Sequence, residues 1–522
     1  MSPYCLVRRA WDSIPKYTKT QFFSTALFAL MIHMYLMTNG LINHDSPVVM
    51  LNNEPFYLSA GRWFANAPDL LSTQFNLLWV NSLLAVFYMS VAACAVGACL
   101  QLRRTLPVLV LSALFAAFPA VACILSYRQD SDLKFFAVML ACLAVAVTGR
   151  FRFGFLGGIA LLIMSLATYQ ANVGFFAGVA VLVLIRQLLS GTSIKAVLKN
   201  ALRLAVGLIG GLVGYVVSVK MTYHGSGPGY KDIDTLAGFS LSELPRRIGF
   251  AYSNFFGVFF KNSLSIQLDP TQNDHRLTYL FIVAMLIVLC LLAAVVVRKG
   301  IHKDLPRLAL VVVLVGLIPL GLNAIALFSP DYLYLLMQYS LVLVFAFALV
   351  VVDLCAECGL GSSSRARSWL ASLGSWVVIL FCCVMAFCYA LYSNVFYLKM
   401  DLINRQGQAY STALVARIQS TPHYTSDTPI VLFGGAPQTI SLGYFENYFA
   451  IPIEDMPNMY SYSTYLVTYL DFRNPVVRND SSMPPELAAD AQAMRVISDM
   501  PNYPDDGSVE AVDGFIVVKL SN

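Results

Sequence analysis

The feature that most constrains this chain is a series of charge-free apolar stretches of about 20 residues, the length of helix needed to cross a bilayer's hydrocarbon core. In lipid, backbone polar groups must be satisfied within the segment, so each stretch is expected to be a helix. The spans fall near 21–41, 76–100, 106–125, 134–149, 154–168, 173–186, 204–222, 278–297, 308–328, 334–352 and 370–394, about eleven in all. The stretch from Phe22 to Leu41 follows a basic N-terminus. It is too long for the apolar core of a signal peptide and lacks a small-residue cleavage site, so it reads as the first span. Of 522 residues, 58% are apolar and 12% charged, against about 45–50% and about 25% in soluble domains. Most of the chain therefore belongs to one membrane bundle.

Loop charge predicts the orientation. Arg8, Arg9, Lys16 and Lys19 precede the first span. On the same side fall Arg103 and Arg104, Arg150 and Arg152, then Lys195, Lys199 and Arg203. Arg298, Lys299, Lys303 and Arg307, then Arg365 and Arg367, complete that face. The positive-inside rule places it in the cytoplasm with the N-terminus, and an odd number of spans places the C-terminus outside. The expected domains are a membrane domain, 1–395, with outer loops 42–75 and 223–277, and an extracytoplasmic C-terminal domain, 396–522. In the tail, Thr428–Phe433 reads as a strand ending at Gly434-Gly435, Glu486–Met500 as a helix and Gly514–Lys519 as a strand. The expected fold class is thus an all-α polytopic membrane bundle with a small α/β extracytoplasmic C-terminal domain.

Charge and cysteine narrow the function. The tail carries seven Lys/Arg against fourteen Asp/Glu, a net −7, which leaves +12 for the rest of a chain of +5. An acidic tail argues against nucleic-acid binding, which needs a basic face. None of the eleven cysteines falls in the three large outer segments. In membrane helices they act as small apolar residues. Cys355-Ala-Glu-Cys358 is a lone C-x-x-C with only half the ligands of a structural zinc site, so it is not read as a metal site. There is no P-loop, G-x-S-x-G elbow or H-E-x-x-H, and Ser226-Gly227-Pro228-Gly229 reads as a flexible loop.

Carriers mark their pathway with ionisable or broken helices near the midplane. Here the expected spans carry almost no charge and polar groups collect at the outer face, which suits an enzyme better. The first outer loop holds His44-Asp45-Ser46-Pro47, Asn53-Glu54-Pro55 and Gly61-Arg62-Trp63-Phe64. Asp45, close to the headgroups, could accept a proton from an incoming hydroxyl; the plainer reading is a solvated turn. Arg62 beside Trp63 equally suits an interfacial anchor. A second loop, Tyr127-Arg128-Gln129-Asp130-Ser131-Asp132 with Lys134 opening the next span, offers a phosphate-binding Arg with acids to orient it or a metal. The alternative there is a helix-capping turn. Thr168-Tyr169-Gln170-Ala171-Asn172 offers hydroxyl and amide groups for a sugar, or merely a polar turn. In the long loop, Lys231 is followed by Ser242-Glu243-Leu244-Pro245-Arg246-Arg247 and a run of aromatics from Phe250 to Phe260. This reads as a helix lying in the interface, with Lys231, Arg246 and Arg247 at headgroup depth.

These residues together resemble the serotype-converting O-antigen glucosyltransferases of bacteria, the type-specific Gtr membrane proteins. The resemblance rests on Asp45 after the first span, on Gly61-Arg62-Trp63, and on Ser165-Leu166-Ala167-Thr168-Tyr169-Gln170 at a span's end. The aromatic outer loop and an ectodomain opening near Asn404-Arg405-Gln406 also fit. Members often carry two adjacent acids in the first loop; here His44 precedes Asp45, which leaves Glu54 or Asp130 as a second carboxylate. The resemblance implies a GT-C type fold in the bacterial inner membrane. It implies a polyprenyl-phosphate-linked donor, typically undecaprenyl-phosphate glucose, and a lipid-linked O-antigen or similar surface glycan as acceptor. Asp45 would then be the general base. Arg62, Arg128, Lys134, Lys231, Arg246 and Arg247 are candidates for the donor phosphate. Tyr169, Gln170, Glu54, Asp130 and Asp132 are candidates for sugar and acceptor. A divalent metal is compatible with this chemistry but not demanded by it. The alternatives are a flippase for lipid-linked glycans, which would need cations lining a cavity through the bundle, and an O-antigen polymerase, which would need a lipid-diphosphate donor.

Overall fold

The computed structural model describes residues 2–47, 57–58, 60–72, 77–222, 241–260, 276–329, 333–359, 366–436, 461–479 and 483–521. Glu54 and Lys231 lie outside these described residues. The protein is a helical membrane bundle with a small sheet. Among the described residues eight helices are long and apolar enough to cross a membrane. They are Lys16–Thr38, Leu78–Cys99, Arg128–Arg150, Gln170–Leu189, Ile194–Thr222, Leu277–Arg298, Leu335–Glu357 and Trp369–Gln419.

The remaining stretches expected to span are broken or short. Thr105–Ala117 and Pro119–Ser126 pass the same test only together, across a 42° bend. Pro119 explains it: a proline inside a helix removes a donor and clashes with the preceding turn. Gly154–Leu166 and Leu305–Gly316 are shorter apolar helices. The second is followed by the short helix Ile318–Leu322, with Pro319 in its first turn, and the 3-10 turn Ala324–Leu327.

The chain divides into two compact units. The described residues of the first lie within 2–39, 57–72 and 77–394, and those of the second within 40–47 and 395–521. In the first unit, Phe115, Phe118, Phe135 and Phe175 surround Tyr339, with ring centroids 5.1–6.3 Å away. The Tyr339 hydroxyl donates to the Phe115 carbonyl at 2.7 Å, so this buried ring carries no unmet polar group. Small residues allow close helix packing. A Cβ added at Gly211 would stand 2.5 Å from Leu162 Cδ2, so Ile194–Thr222 seats the Leu162 side chain on a glycine.

The second unit holds a four-stranded sheet, β1 Ile430–Phe433, β2 Val476–Arg478, β3 Val509–Val512 and β4 Phe515–Lys519, in the order β2-β1-β4-β3. β1 is parallel to both neighbours, while β3 and β4 form an antiparallel hairpin. The hairpin turns through Asp513-Gly514, both with positive φ (50° and 83°), as a tight two-residue loop requires. The strands expected from sequence are β1 and β4; β2 and β3 are short and were not anticipated. The helix expected over Glu486–Met500 is two, Pro485–Ala489 and Ala491–Asp499. Asp490 breaks it, its carboxylate accepting from the Gln492 and Ala493 amides at 2.7 and 3.0 Å.

Candidate functional site

In the first unit, the segment after Tyr57 is fixed onto the ends of two helices. The Phe64 amide donates to the Ala167 carbonyl at 3.0 Å, and Trp63 Nε1 donates to Ser218 Oγ at 2.9 Å. The Arg62 amide donates to the Tyr57 carbonyl at 2.7 Å. Gly61 makes this turn with φ 69°, a conformation costly for other residues.

Gln170 opens the 3-10 turn Gln170–Asn172, between Gly154–Leu166 and Val173–Leu189. Its Oε1 accepts from Arg62 Nε at 3.3 Å. Its Nε2 donates to the Ala60 carbonyl at 2.6 Å and to the Tyr215 hydroxyl at 2.9 Å. The Tyr215 hydroxyl donates in turn to the Gly61 carbonyl at 3.3 Å. Arg62 Cζ lies 5.0 Å from the Tyr169 ring centroid, a cation–π distance.

The polar run 127–132, expected as a loop before a span opening at Lys134, instead belongs to that span: the helix Arg128–Arg150 already starts at Arg128, and most of the run is buried. Tyr127 occupies the N-cap and makes no side-chain cap bond, so the capping alternative with Asp does not hold. Lys134 Nζ lies 2.5 Å from Asp130 Oδ1, 4.5 Å from the Tyr127 ring and 5.8 Å from the Tyr169 ring. Asp132 is 1% exposed and accepts from Asn81 Nδ2 at 3.1 Å. Asn81 is itself oriented by the Leu77 amide, 2.9 Å from its Oδ1. Arg128 donates to the Asn39 carbonyl at 3.4 Å. Asn172 Nδ2 donates to the Lys134 carbonyl at 3.5 Å, joining the two helix starts.

Tyr57 ties these groups together. Burial first, then the charges of Asp130, Asp69 and Asp132, push its phenol well above the ordinary tyrosine value, while Arg62 opposes them. The structure thus brings together six sequence candidates: Arg62, Asp130, Asp132, Lys134, Tyr169 and Gln170. It adds Tyr57, Asp69, Asn81 and Tyr215, which sequence reasoning did not assign. Asp69 had a signal, being the single charged residue between Arg62 and Arg103. It is 1% exposed in the short helix Asn66–Ser72, with Ser72 Oγ 3.4 Å from its Oδ1.

Other candidates are held elsewhere. Arg247 is buried in the helix Leu244–Phe260, where it donates to Glu243 Oε2 at 2.8 Å and to the Leu327 carbonyl at 2.7 Å. The Arg247 bond holds the exposed Glu243 carboxyl below its usual value. Arg246 is more exposed and lies 4.0 Å from Glu243. Asp45 and His44 belong to the second unit, with His44 Nε2 3.4 Å from Asp45 Oδ1. Asp45 is the more open carboxylate, its side chain 34% exposed. Asn43 Oδ1 accepts from the Asp45 and Ser46 amides at 3.0 and 3.1 Å, so the carboxylate sits on an Asx turn. Asn404 clamps this segment: its Oδ1 accepts from the Ile42 amide at 2.7 Å and its Nδ2 donates to the Ile42 carbonyl at 3.0 Å. Ser461 Oγ donates to the His44 carbonyl.

The spans are also less free of charge than expected. Arg186 and Asp353, each 3% exposed, pair at 3.3 Å. Arg186 also bonds Glu357, and Arg104 Nε lies 3.3 Å from the other Asp353 oxygen. Burial is tolerable because the charges compensate one another. Among the described residues no three His, Cys, Asp or Glu side chains converge as metal ligands.

The family model described as Glucosyl transferase GtrII matches residues 34–345, more than half of the chain. The chain belongs to this family. No curated protein and no solved structure matches it. Membership makes the protein a glucosyl transferase and agrees with the resemblance read from Asp45, Gly61-Arg62-Trp63 and the run ending at Gln170. The match takes in every residue of the cluster around Tyr57, together with Asp45, Arg246 and Arg247. The sheet of the second unit lies beyond it.

Proposed function

We propose that this glucosyl transferase moves glucose from a polyprenyl-phosphate donor to a lipid-linked O-antigen or other surface glycan at the periplasmic face of the bacterial inner membrane. One observation carries the reading: two cations share the Tyr169 ring, Arg62 Cζ at 5.0 Å and Lys134 Nζ at 5.8 Å from its centroid. A leaving polyprenyl phosphate already bears charge, so it needs cationic stabilisation more than a proton. Lys134 is at the same time paired with Asp130. A planar guanidinium held at Nε suits bidentate contact with phosphate.

In this reading the acceptor hydroxyl gives its proton to Asp45 as its oxygen bonds to the anomeric carbon. The bond from that carbon to the phosphate oxygen breaks, polyprenyl phosphate leaves, and the anomeric centre inverts. Tyr169, Gln170, Asp130 and Asp132 serve sugar and acceptor, while Arg128 supports the phosphate end. The N-terminus would be cytoplasmic and the domain 396–522 periplasmic. The flippase alternative is disfavoured by membership of a glucosyl transferase family. Incubating the purified protein with radiolabelled polyprenyl-phosphate glucose and acceptor glycan tests the reading. Labelled glycan supports it; label that crosses vesicles without transfer refutes it, as does transfer only from a lipid diphosphate.

A further inference from the structure

The helix Pro3–Ser13 precedes the first membrane helix, and none of its residues is buried. At 100° per residue its side chains divide cleanly. Tyr4, Leu6, Val7, Ala10 and Trp11, with Ile14 just beyond, fall on one side, whereas Arg8, Arg9, Asp12 and Ser13 fall on the other. Tyr4 and Val7 are 70% and 69% exposed, and Leu6, Trp11 and Ile14 are also exposed. A helix of this length is marginal alone in water and needs a surface to cover its apolar side.

The packing of Trp11 indicates which surface. Trp11 packs edge-on against Phe23, with ring centroids 6.1 Å apart. Phe23, Leu27, Met31 and Met34 follow one another at helical spacing along Lys16–Thr38, and each is more than half exposed. They form an outward stripe on a helix long and apolar enough to span a membrane. The apolar side of Pro3–Ser13 therefore continues a lipid-facing stripe around the corner at Pro15. Lys19 Nζ stands 4.5 Å over the Trp11 ring, and Lys16, Arg8 and Arg9 add positive charge beside it.

We infer that Pro3–Ser13 is an interfacial helix that lies on an anionic lipid leaflet, its Tyr4, Val7 and Trp11 side sunk to the acyl boundary and Arg8 and Arg9 reaching headgroup phosphates. Aromatic side chains favour that depth. Long basic side chains can follow the surface with their charge in the headgroups. Anionic lipid attracts each such cation.

The test uses the full-length protein in nanodiscs, one copy per disc, of phosphatidylcholine with or without phosphatidylglycerol. The chain has five tryptophans, so the Trp11 emission is taken as the difference between wild type and Trp11→Phe. No residue of this helix is buried, so substitutions in it remove no core packing. In phosphatidylglycerol discs the Trp11 component should be quenched by lipid brominated near the headgroup end of the acyl chain and shielded from aqueous iodide. Arg8→Glu combined with Arg9→Glu should lose both effects. Three results would overturn the inference: full iodide quenching in phosphatidylglycerol discs, shielding that appears only with two copies per disc, or shielding indifferent to both phosphatidylglycerol and the charge reversal.

Discussion

Gln170 holds Arg62 with both ends of its amide, accepting from the guanidinium Nε at 3.3 Å and donating to the Ala60 carbonyl at 2.6 Å two residues before it. A leucine in its place would keep the bulk and lose both bonds. If Gln170 acts by aiming Arg62, Gln170→Leu should lower kcat/KM by about 10- to 100-fold, the effect of one misplaced charged contact. In an Arg62→Ala background the same change should cost little more, because interacting residues are not additive. Steady-state kinetics on the four proteins of the cycle decides it, and additive losses would remove Gln170 from this role.

Asp45 is presented by an Asx turn, next to His44, with a third of its side chain open to solvent. As general base it should contribute about 10²- to 10⁴-fold to turnover. Asp45→Asn preserves shape and removes the base, so kcat should fall by that factor while donor binding is retained. Near-normal transfer by a well-expressed Asp45→Asn protein would refute the assignment.

Tyr57 supplies a pH test. Its folded pKa is raised, by burial first and then by Asp130, Asp69 and Asp132. A group whose folded pKa exceeds its unfolded value of about 10 contributes stability that is complete below that value and is lost as pH rises above it. Wild type should therefore lose more thermal stability than Tyr57→Phe on going from about pH 8 to about pH 11. Equal losses in the two proteins would contradict the raised phenol pKa.

The Arg186–Asp353 pair, 3.3 Å apart and buried on both sides, predicts asymmetric mutants. Arg186→Met takes from a buried carboxylate its one buried cationic partner among the described residues, leaving the half-exposed Arg104, and should cost about 3–5 kcal/mol of stability. Adding Asp353→Leu should restore much of that loss, since the charges that then lose a partner, Glu357 and Arg104, are partly exposed to begin with. Thermal unfolding in detergent measures both.

Hydropathy is a local quantity, and it located most of the helices from sequence. Lys16–Thr38, Leu78–Cys99, Ile194–Thr222 and Leu277–Arg298 were legible because a run of apolar side chains states its own preference for lipid, whatever it packs against. Asp45, Arg62 and the run to Gln170 were legible as polar groups in motifs resembling a family, and the family match agrees. β2 was not legible, because three residues carry too little pattern to mark a strand.

What tertiary structure decided is which polar groups meet. Arg62 and Gln170 stand 108 residues apart, and Asn81 and Asp132 stand 51 apart. Arg128 to Asp132 read as a loop, because charge discourages a membrane helix, yet the helix that carries Lys134 starts with them. Their charges are tolerated there because Lys134 has Asp130 and two aromatic rings, and Asp132 has Asn81. Asp69 is buried on the same grounds, beside Ser72. The sequence by itself determined that apolar helices would form and roughly where. Only the packing of their ends determined that Tyr57, Arg62, Lys134 and three carboxylates share one neighbourhood, because the energy of a buried charge depends on its partners in space and not on its neighbours along the chain.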